Sequence, residues 1–312
     1  MAQNKTGGFW QMTILVLGGG KSPERDVSLR SAAAISMAAR QAGFETLEAD
    51  PAEGLSTLDN LSDTIVFPIL HGAGGEDGQL QEELEKRHLP FLGSGSQASA
   101  NCFDKWKTRQ VLTRAGINMP KAVLVSKETY GGQPLRKKPH VLKVNRGGSS
   151  IGTMIIREAG KEPVKNIEKL FALDNEAVLE ELIEGAEITI PILDNKALPV
   201  IEIRPPEGLE FDYDNKYNGK TAEICPPESI DEQLQQKARK IAENVHRLMG
   251  CRHLSRVDFM IDKHNNVYAL EINTIPGLTD QSLYPRAAAV AGLDMPGLVK
   301  RFAELVIRDY NL

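Results

Sequence analysis

Three cysteines in 312 residues, Cys102, Cys225 and Cys251, are too few and too widely spaced for a disulfide framework, a zinc site or a redox motif. They read as reduced thiols packed in a core. No apolar run reaches the roughly 18 residues of a bilayer-spanning helix, so no membrane association is expected. The opening MAQNKTGGFWQM has no apolar leader core, which makes the cytoplasm the expected location. Basic residues are outnumbered and scattered, with a net charge of −5, which argues against nucleic acid as a partner. Internal repeats and low-complexity tracts are missing too.

Two nucleotide motifs are also absent. Gly20-Lys21-Ser22 imitates the end of a P-loop, but the glycine required five residues before Gly20 is Leu15. A dinucleotide fingerprint starting at Gly18 would need glycine where Pro23 stands. A P-loop ATPase and a nicotinamide dehydrogenase are therefore both disfavoured.

What is present is an alternation of strand and helix. Thr13–Leu17, Phe44–Glu48 and Thr64–Leu70 read as strands, with helices over Val27–Gln41 and Gln79–Arg87. That order predicts a parallel α/β sheet over residues 1–101. Gly93–Ala100 (GSGSQASA) suits a link. A helix over Phe103–Arg114 follows, then strands at Ala122–Val125, Val141–Val144, Thr153–Arg157 and Ala177–Leu182, with a helix over Lys165–Phe171; residues 102–190 read as an α+β unit. The third unit, 191–312, holds a strand at Leu198–Ile203, a loop over Pro205–Pro227, and helices over Asp231–Met249 and Leu298–Arg308.

The most informative stretch is Arg256–Gly277, RVDFMIDKHNNVYALEINTIPG. It reads as two strands around a polar turn. Alternation puts Arg256 and Asp258 on one face, with Val257, Phe259 and Ile261 on the other. Glu271 and Asn273 share a face, and Tyr268, Leu270 and Ile272 the opposite one. A turn centred on His264–Asn265 sets Asp258 opposite Glu271 and Arg256 opposite Asn273. Carboxylates facing each other across a ladder repel unless a proton or a divalent cation lies between them. Two carboxylates and an amide oxygen suit Mg²⁺. An ordinary hairpin with a solvated charged face gives the same pattern, so both readings stand on this segment alone.

Other segments carry compatible chemistry. The loop Asn145–Gly152 (NRGGSSIG) can bring backbone N–H groups close to phosphate, with Lys143 just before it. His71 and Glu24 both follow strands on the same edge of the predicted sheet, where α/β proteins bind ligands. Glu76 and Asp77 favour a helix N-terminus. Glu180-Glu181-Leu182-Ile183 with Glu187 suits an adenine and ribose pocket, or is a plain strand with an acidic end.

HGAGGEDGQLQ, LKVNRGGSSIG, GGGKSPERDVSLRSA, Lys216-Tyr217 and RVDFMID…LEINTIPGLTDQSLYP, in this register, resemble the D-alanine–D-alanine ligase family of the ATP-grasp superfamily. The resemblance runs from about Thr13 to Val306. It implies an N-terminal parallel α/β (pre-ATP-grasp) domain followed by a two-part ATP-grasp fold. It implies ATP-dependent joining of two D-alanines, through a D-alanyl phosphate, for peptidoglycan precursor synthesis; D-Ala–D-lactate or D-Ala–D-Ser ligation, or another ATP-grasp carboxylate–amine ligation, are the alternatives. ATP, two Mg²⁺ or Mn²⁺ ions and a homodimer go with it.

Residue roles follow from the same resemblance. Asp258, Glu271 and Asn273 match metal ligands, and Arg256 matches the group stabilising the transferring phosphate. Lys105, Lys143, Ser150 and Lys216 match phosphate contacts. Glu180, Glu181, Leu182, Ile183 and Glu187 match the adenine–ribose pocket. Glu24 matches the anchor for the first ammonium, with His71 nearby. Ser149 and Tyr217 match partners of Glu24 in loop closure. Gly277, Ser282 and Leu283 match second-substrate contacts, with the bulky Tyr284 expected beside them. Glu181, Gly147 and Ile275 depart from commoner residues without removing a catalytic group.

Overall fold

The computed structural model describes residues 12–148, 151–206 and 221–312. Strands β1 (Thr13–Leu17), β2 (Glu45–Ala49) and β3 (Thr64–Pro68) form a parallel sheet in the order β2-β1-β3. β1 and β3 are almost wholly buried, as expected where helices cover both faces. Ile14 and Val16 face α1 (Arg25–Gln41), while Leu15 and Leu17 pack with Leu80 and Leu84 of α2 (Gln79–Lys86). β2, at the edge, is polar and largely exposed.

The small-residue stretch after Gly93 is largely helical. Ser96–Phe103 forms a helix, α3, and α4 (Lys105–Arg114) follows directly. Asp104 has extended angles, φ −89° and ψ 103°, and its side chain accepts the Lys107 N–H. The helix expected over Phe103–Arg114 thus begins at Lys105, and an unexpected helix precedes it, the two separated by Asp104, which caps the second.

β4 (Ala122–Val125), β5 (His140–Val144), β6 (Thr153–Ile156) and β7 (Ala177–Glu181) form an antiparallel sheet, β4-β7-β5-β6. α5 (Lys127–Tyr130) and α6 (Val164–Leu173) contribute Tyr130 and Leu170 to its core.

The third sheet is the largest. β8 (Gly185–Leu193), β10 (Ile201–Arg204), β11 (Ala222–Ile224), β12 (Leu254–Asp262) and β13 (Val267–Asn273) run in the order β11-β10-β8-β12-β13, and the short β9 (Lys196–Ala197) pairs with β8. The division expected at 190/191 falls inside β8, which pairs with β12 along its whole length. The change of sheet comes instead at Leu182–Glu184. α7 (Glu232–Leu248) lays Leu234, Ala238, Ala242 and Val245 on this sheet, one apolar stripe at helical spacing. Leu112 and Met119 join the same core, so α4 lays its apolar side here, while its Arg109 reaches Glu180 on β7 of the middle sheet.

The last two helices, α8 (Leu283–Val290) and α9 (Met295–Tyr310), pack against the first sheet. Phe302, Leu305 and Val306 share a core with Ile14, Val16 and Phe67, and the Phe67 and Phe302 rings meet edge-on at 6.4 Å. The region after β13 therefore braces the first sheet, which holds its strand ends against the third sheet's carboxylates.

Candidate active site

β12 and β13 pair as the sequence pattern predicts: Asp258 lies opposite Glu271, and Arg256 opposite Asn273. The turn is tighter than expected, and a bulge restores the register. Beyond Asp258 the pairing steps to Phe259–Ala269, which leaves Leu270 as the extra residue. The core face of β13 is consequently Val267, Ala269 and Ile272, and Tyr268 and Leu270 do not share it.

Two cavities flank this hairpin. One, of about 700 Å³, is lined by His71, Glu76, Lys105, Gly148, Arg256, Asn273, Gly277, Ser282 and Leu283, among others. The other, of about 640 Å³, is lined by Lys143, Glu180, Glu181, Leu182, Ile183, Glu187 and Asp258. Among the described residues, Glu271 alone lines both. The acidic face of the hairpin is thus the common wall between them.

Arg256 is clamped to Asp258, with Nε 2.9 Å from Oδ1 and Nη2 2.8 Å from Oδ2. The Thr189 hydroxyl on β8 also donates to Asp258 Oδ1. Burial works against the Arg256 charge, but Asp258, with Glu271 and Glu76, more than offsets it and holds the guanidinium protonated. Asn273 Oδ1 accepts the Ile275 N–H at 2.8 Å, which turns the chain toward Gly277. Asp258, Glu271 and Asn273 form an all-oxygen donor set of the kind that holds a hard divalent cation.

Lys105 is placed by the break at Asp104. Its backbone N–H donates to the Asn145 carbonyl at 3.0 Å, and Asn145 Oδ1 accepts the Trp106 N–H at 2.8 Å. The glycine loop is thereby bound to the start of α4. Lys105 Nζ donates to the Gly147 carbonyl at 2.6 Å and lies 3.8 Å from Glu271 Oε2. Burial lowers its pKa, and Glu271 pulls the other way.

Glu180 is not free to meet a ribose as it stands. Its Oε1 is 2.7 Å from Lys143 Nζ and its Oε2 is 3.1 Å from Arg109 Nη2, all three side chains being buried. Arg109, which sequence reasoning missed, thus shares with Lys143 the neutralisation of that acid. Glu181 Oε1 accepts the Lys121 N–H at 2.8 Å.

On the first sheet's edge, His71 is buried, with Nε2 3.2 Å from Ser31 Oγ. Burial, with Arg256 acting in the same sense, pushes its pKa down to about 4, so the imidazole is neutral near pH 7. Glu24 is buried behind the Gly72 turn. Glu76 lines the cavity itself, and its Oε2 accepts the Gly72 N–H at 2.6 Å. Burial, reinforced by Glu24 and Glu271 and opposed by the Gly72 N–H and Arg256, raises its pKa to about 8.

Ser282 stands at the head of α8, where its Oγ accepts the Thr279 N–H at 3.1 Å. A Cβ at Gly277 would come within 2.9 Å of that oxygen, so the close approach is open to glycine. Tyr284 is not beside the cavity: it is fully buried and donates to the Ile192 carbonyl at 2.8 Å. Ser149, Ser150, Lys216 and Tyr217 lie outside the described residues. Cys102 and Cys251 meet at 3.6 Å as free buried thiols. Among the described residues no helix is long and apolar enough to cross a membrane.

A nucleotide-sized cleft between two antiparallel sheets, meeting a second cavity at a carboxylate hairpin, is the architecture of the ATP-grasp superfamily. The solved D-alanine–D-alanine ligase of Bacillus anthracis complexed with ATP superposes with a TM-score of 0.83 at 28% identity, covering 96% of this chain and 99% of that one. The family model "D-ala D-ala ligase C-terminus" matches residues 111–304. A protein named D-alanine–D-alanine ligase from Nitrosospira multiformis is 39% identical over 304 residues, 96% of each chain. Its namesake from Nitratidesulfovibrio vulgaris strain DP4 is 38% identical over 299 residues, 94% of this chain and 98% of its own. The chain belongs to the D-alanine–D-alanine ligase family.

Proposed function

We infer that the chain catalyses ATP-dependent ligation of two D-alanines to D-Ala–D-Ala, the dipeptide of peptidoglycan precursors. The observation that carries this is Glu271, which lines both cavities. A group at that wall meets a nucleotide in one cavity and an amino acid in the other. A free carboxylate is a poor acyl donor. Transfer of the γ-phosphoryl group to the first D-alanine gives an acylphosphate, and the second D-alanine's amine attacks its carbonyl carbon. The tetrahedral adduct then expels phosphate.

This chain's side chains take roles accordingly. Lys143, Glu180, Glu181, Leu182, Ile183 and Glu187 border the nucleotide, with Lys105, Ser150 and Lys216 on its phosphates. Asp258, Glu271 and Asn273 would hold Mg²⁺ or Mn²⁺, two ions in the family pattern, which supply neutralisation of phosphate charge. Arg256, held charged by Asp258, meets negative charge as it develops on the transferring phosphoryl group and the adduct. Glu24 and neutral His71 orient the first D-alanine. Gly277, Ser282 and Leu283 border the second, and Ser149 and Tyr217 join Glu24 in closing the site. A homodimer is implied by the family, and sedimentation would test it.

Incubation with Mg·ATP, with and without D-alanine, tests the reading through ADP and phosphate release. D-alanine-dependent release is expected. ADP release that ignores D-alanine would end it, and release requiring D-lactate alongside D-alanine would move the chain to depsipeptide formation.

A further inference from the structure

Glu76 is 7% exposed and lines the larger cavity beside His71, Gly148 and Arg256. Glu24, 3% exposed, comes up on the other side of the same turn. A Cβ on Gly148 would sit 3.3 Å from Glu24 Oε1 and 3.4 Å from Glu76 Oε2, and a Cβ on Gly72 would collide with Glu24 Oε2. Two buried carboxyls therefore converge on one gap between Gly72 and Gly148. Among the described residues neither has an ion-pair partner, and the nearby guanidinium of Arg256 is already bound to Asp258. Burying a carboxylate without a partner is costly, and burial accordingly keeps Glu76 protonated near neutral pH, so an arriving ammonium would take the place of that proton. Bracing the Gly72 turn does not explain a carboxylate at 76, because an amide oxygen would accept the same N–H. A cation delivered to the gap explains both acids.

We propose that Glu76 is a specificity-determining residue for the first substrate: with Glu24 it seats the α-ammonium group and so selects an amino acid over a plain carboxylic acid. This rests on the ligase reading above. Glu76 lines the cavity and Glu24 does not, so the incoming ammonium meets Glu76 first.

The first site can be read alone by trapping the acylphosphate with hydroxylamine. Its nitrogen bonds to the acyl carbon, the carbon–oxygen bond to phosphate breaks, and hydroxamate and phosphate are released. D-alanine-dependent hydroxamate from the wild type establishes the underlying reaction, and its failure would count against the ligase reading and not against Glu76. In Glu76→Gln, half-saturating D-alanine should rise at least about tenfold, the scale of a lost charged hydrogen bond, with ATP saturation within about twofold. Propionate, which lacks the ammonium, should inhibit the variant as well as it inhibits the wild type. Glu76→Gln that saturates with D-alanine like the wild type would overturn the proposal and leave Glu76 a brace for the turn. Should that variant not fold, Glu76→Asp decides. Drawing the charge back by one methylene should weaken D-alanine about threefold or more without changing propionate inhibition; equal shifts in both, or none, would overturn the proposal.

Discussion

Arg256 and Asp258 stand two residues apart on one face of β12 and grip each other through two hydrogen bonds of 2.9 and 2.8 Å. The fork both orients the guanidinium and shares the carboxylate expected to hold metal, so one substitution should disturb two functions. Asp258→Asn keeps the shape but turns one acceptor into a donor facing Arg256. Turnover should fall about 100-fold or more, the usual scale for losing an oriented electrostatic group. Half-saturating Mg²⁺ should rise about 10- to 100-fold. ADP release across a Mg²⁺ titration measures both, and a normal Mg²⁺ curve would remove Asp258 from the metal site.

How much of this site is written in the sequence depends on the range of the interaction. The Asp258–Glu271 pair was legible because strand alternation has a period of two and the turn lies between its members. The bulge at Leu270 was not: nothing in YALEIN distinguishes a regular strand from one with an extra residue. Helix α3 was hidden for a different reason. Its residues are small and only Ser99 and Cys102 are buried, so no apolar period marks it. The Lys143–Glu180–Arg109 cluster depends on register between β5 and β7 and on α4 packing beside them, with Arg109 and Glu180 71 residues apart. Such contacts follow from tertiary packing, and only the family resemblance linked Lys143 and Glu180 to one pocket.

That cluster gives a stability prediction. Glu180 neutralises two buried cations, and removing it leaves both without their partner. Breaking a buried ionic group in this way costs about 3–5 kcal/mol. Glu180→Ala should lose stability on that scale in urea unfolding. Adding Lys143→Met should recover part of it, although ATP saturation would still suffer. A loss below about 1 kcal/mol for Glu180→Ala would show that the cations are solvated, not buried.

Tyr284 tests where the second-substrate pocket ends. Its hydroxyl donates to Ile192 inside the core, and its ring lies 6.1 Å from that of Phe302. Tyr284→Phe should cost about 1 kcal/mol through the lost hydrogen bond. D-alanine saturation should stay within about twofold. A clear rise in the D-alanine requirement, with stability unchanged, would place the side chain in the pocket after all.

The pH dependence of stability should have two limbs with separate origins. His71, His246 and His253 are buried, and burial chiefly pushes each pKa from 6.5 down to about 4, with Asp309 opposing the shift at His253. Between those values the unfolded chain binds protons that the native chain refuses. The histidine contribution is therefore complete above about pH 6.5 and is lost as pH falls toward 4. Glu76 acts in the opposite sense, because burial raises its pKa from 4.5 to about 8. Its native form holds a proton that the unfolded chain releases, so this contribution is complete below about pH 4.5 and is lost as pH rises through 8. In the nucleotide-free and metal-free protein, melting temperature should fall on the acid side of about 6.5, where three histidines outweigh one glutamate. It should decline again toward pH 8. His246→Gln should flatten the acid limb, even though the lost Ser255 contact of 2.7 Å lowers stability at pH 7. Glu76→Gln, neutral at every pH, should flatten the alkaline limb and leave the acid limb in place. Melting curves of both variants that run parallel to the wild type from pH 4 to 8 would show that these buried groups do not set the pH range of the fold.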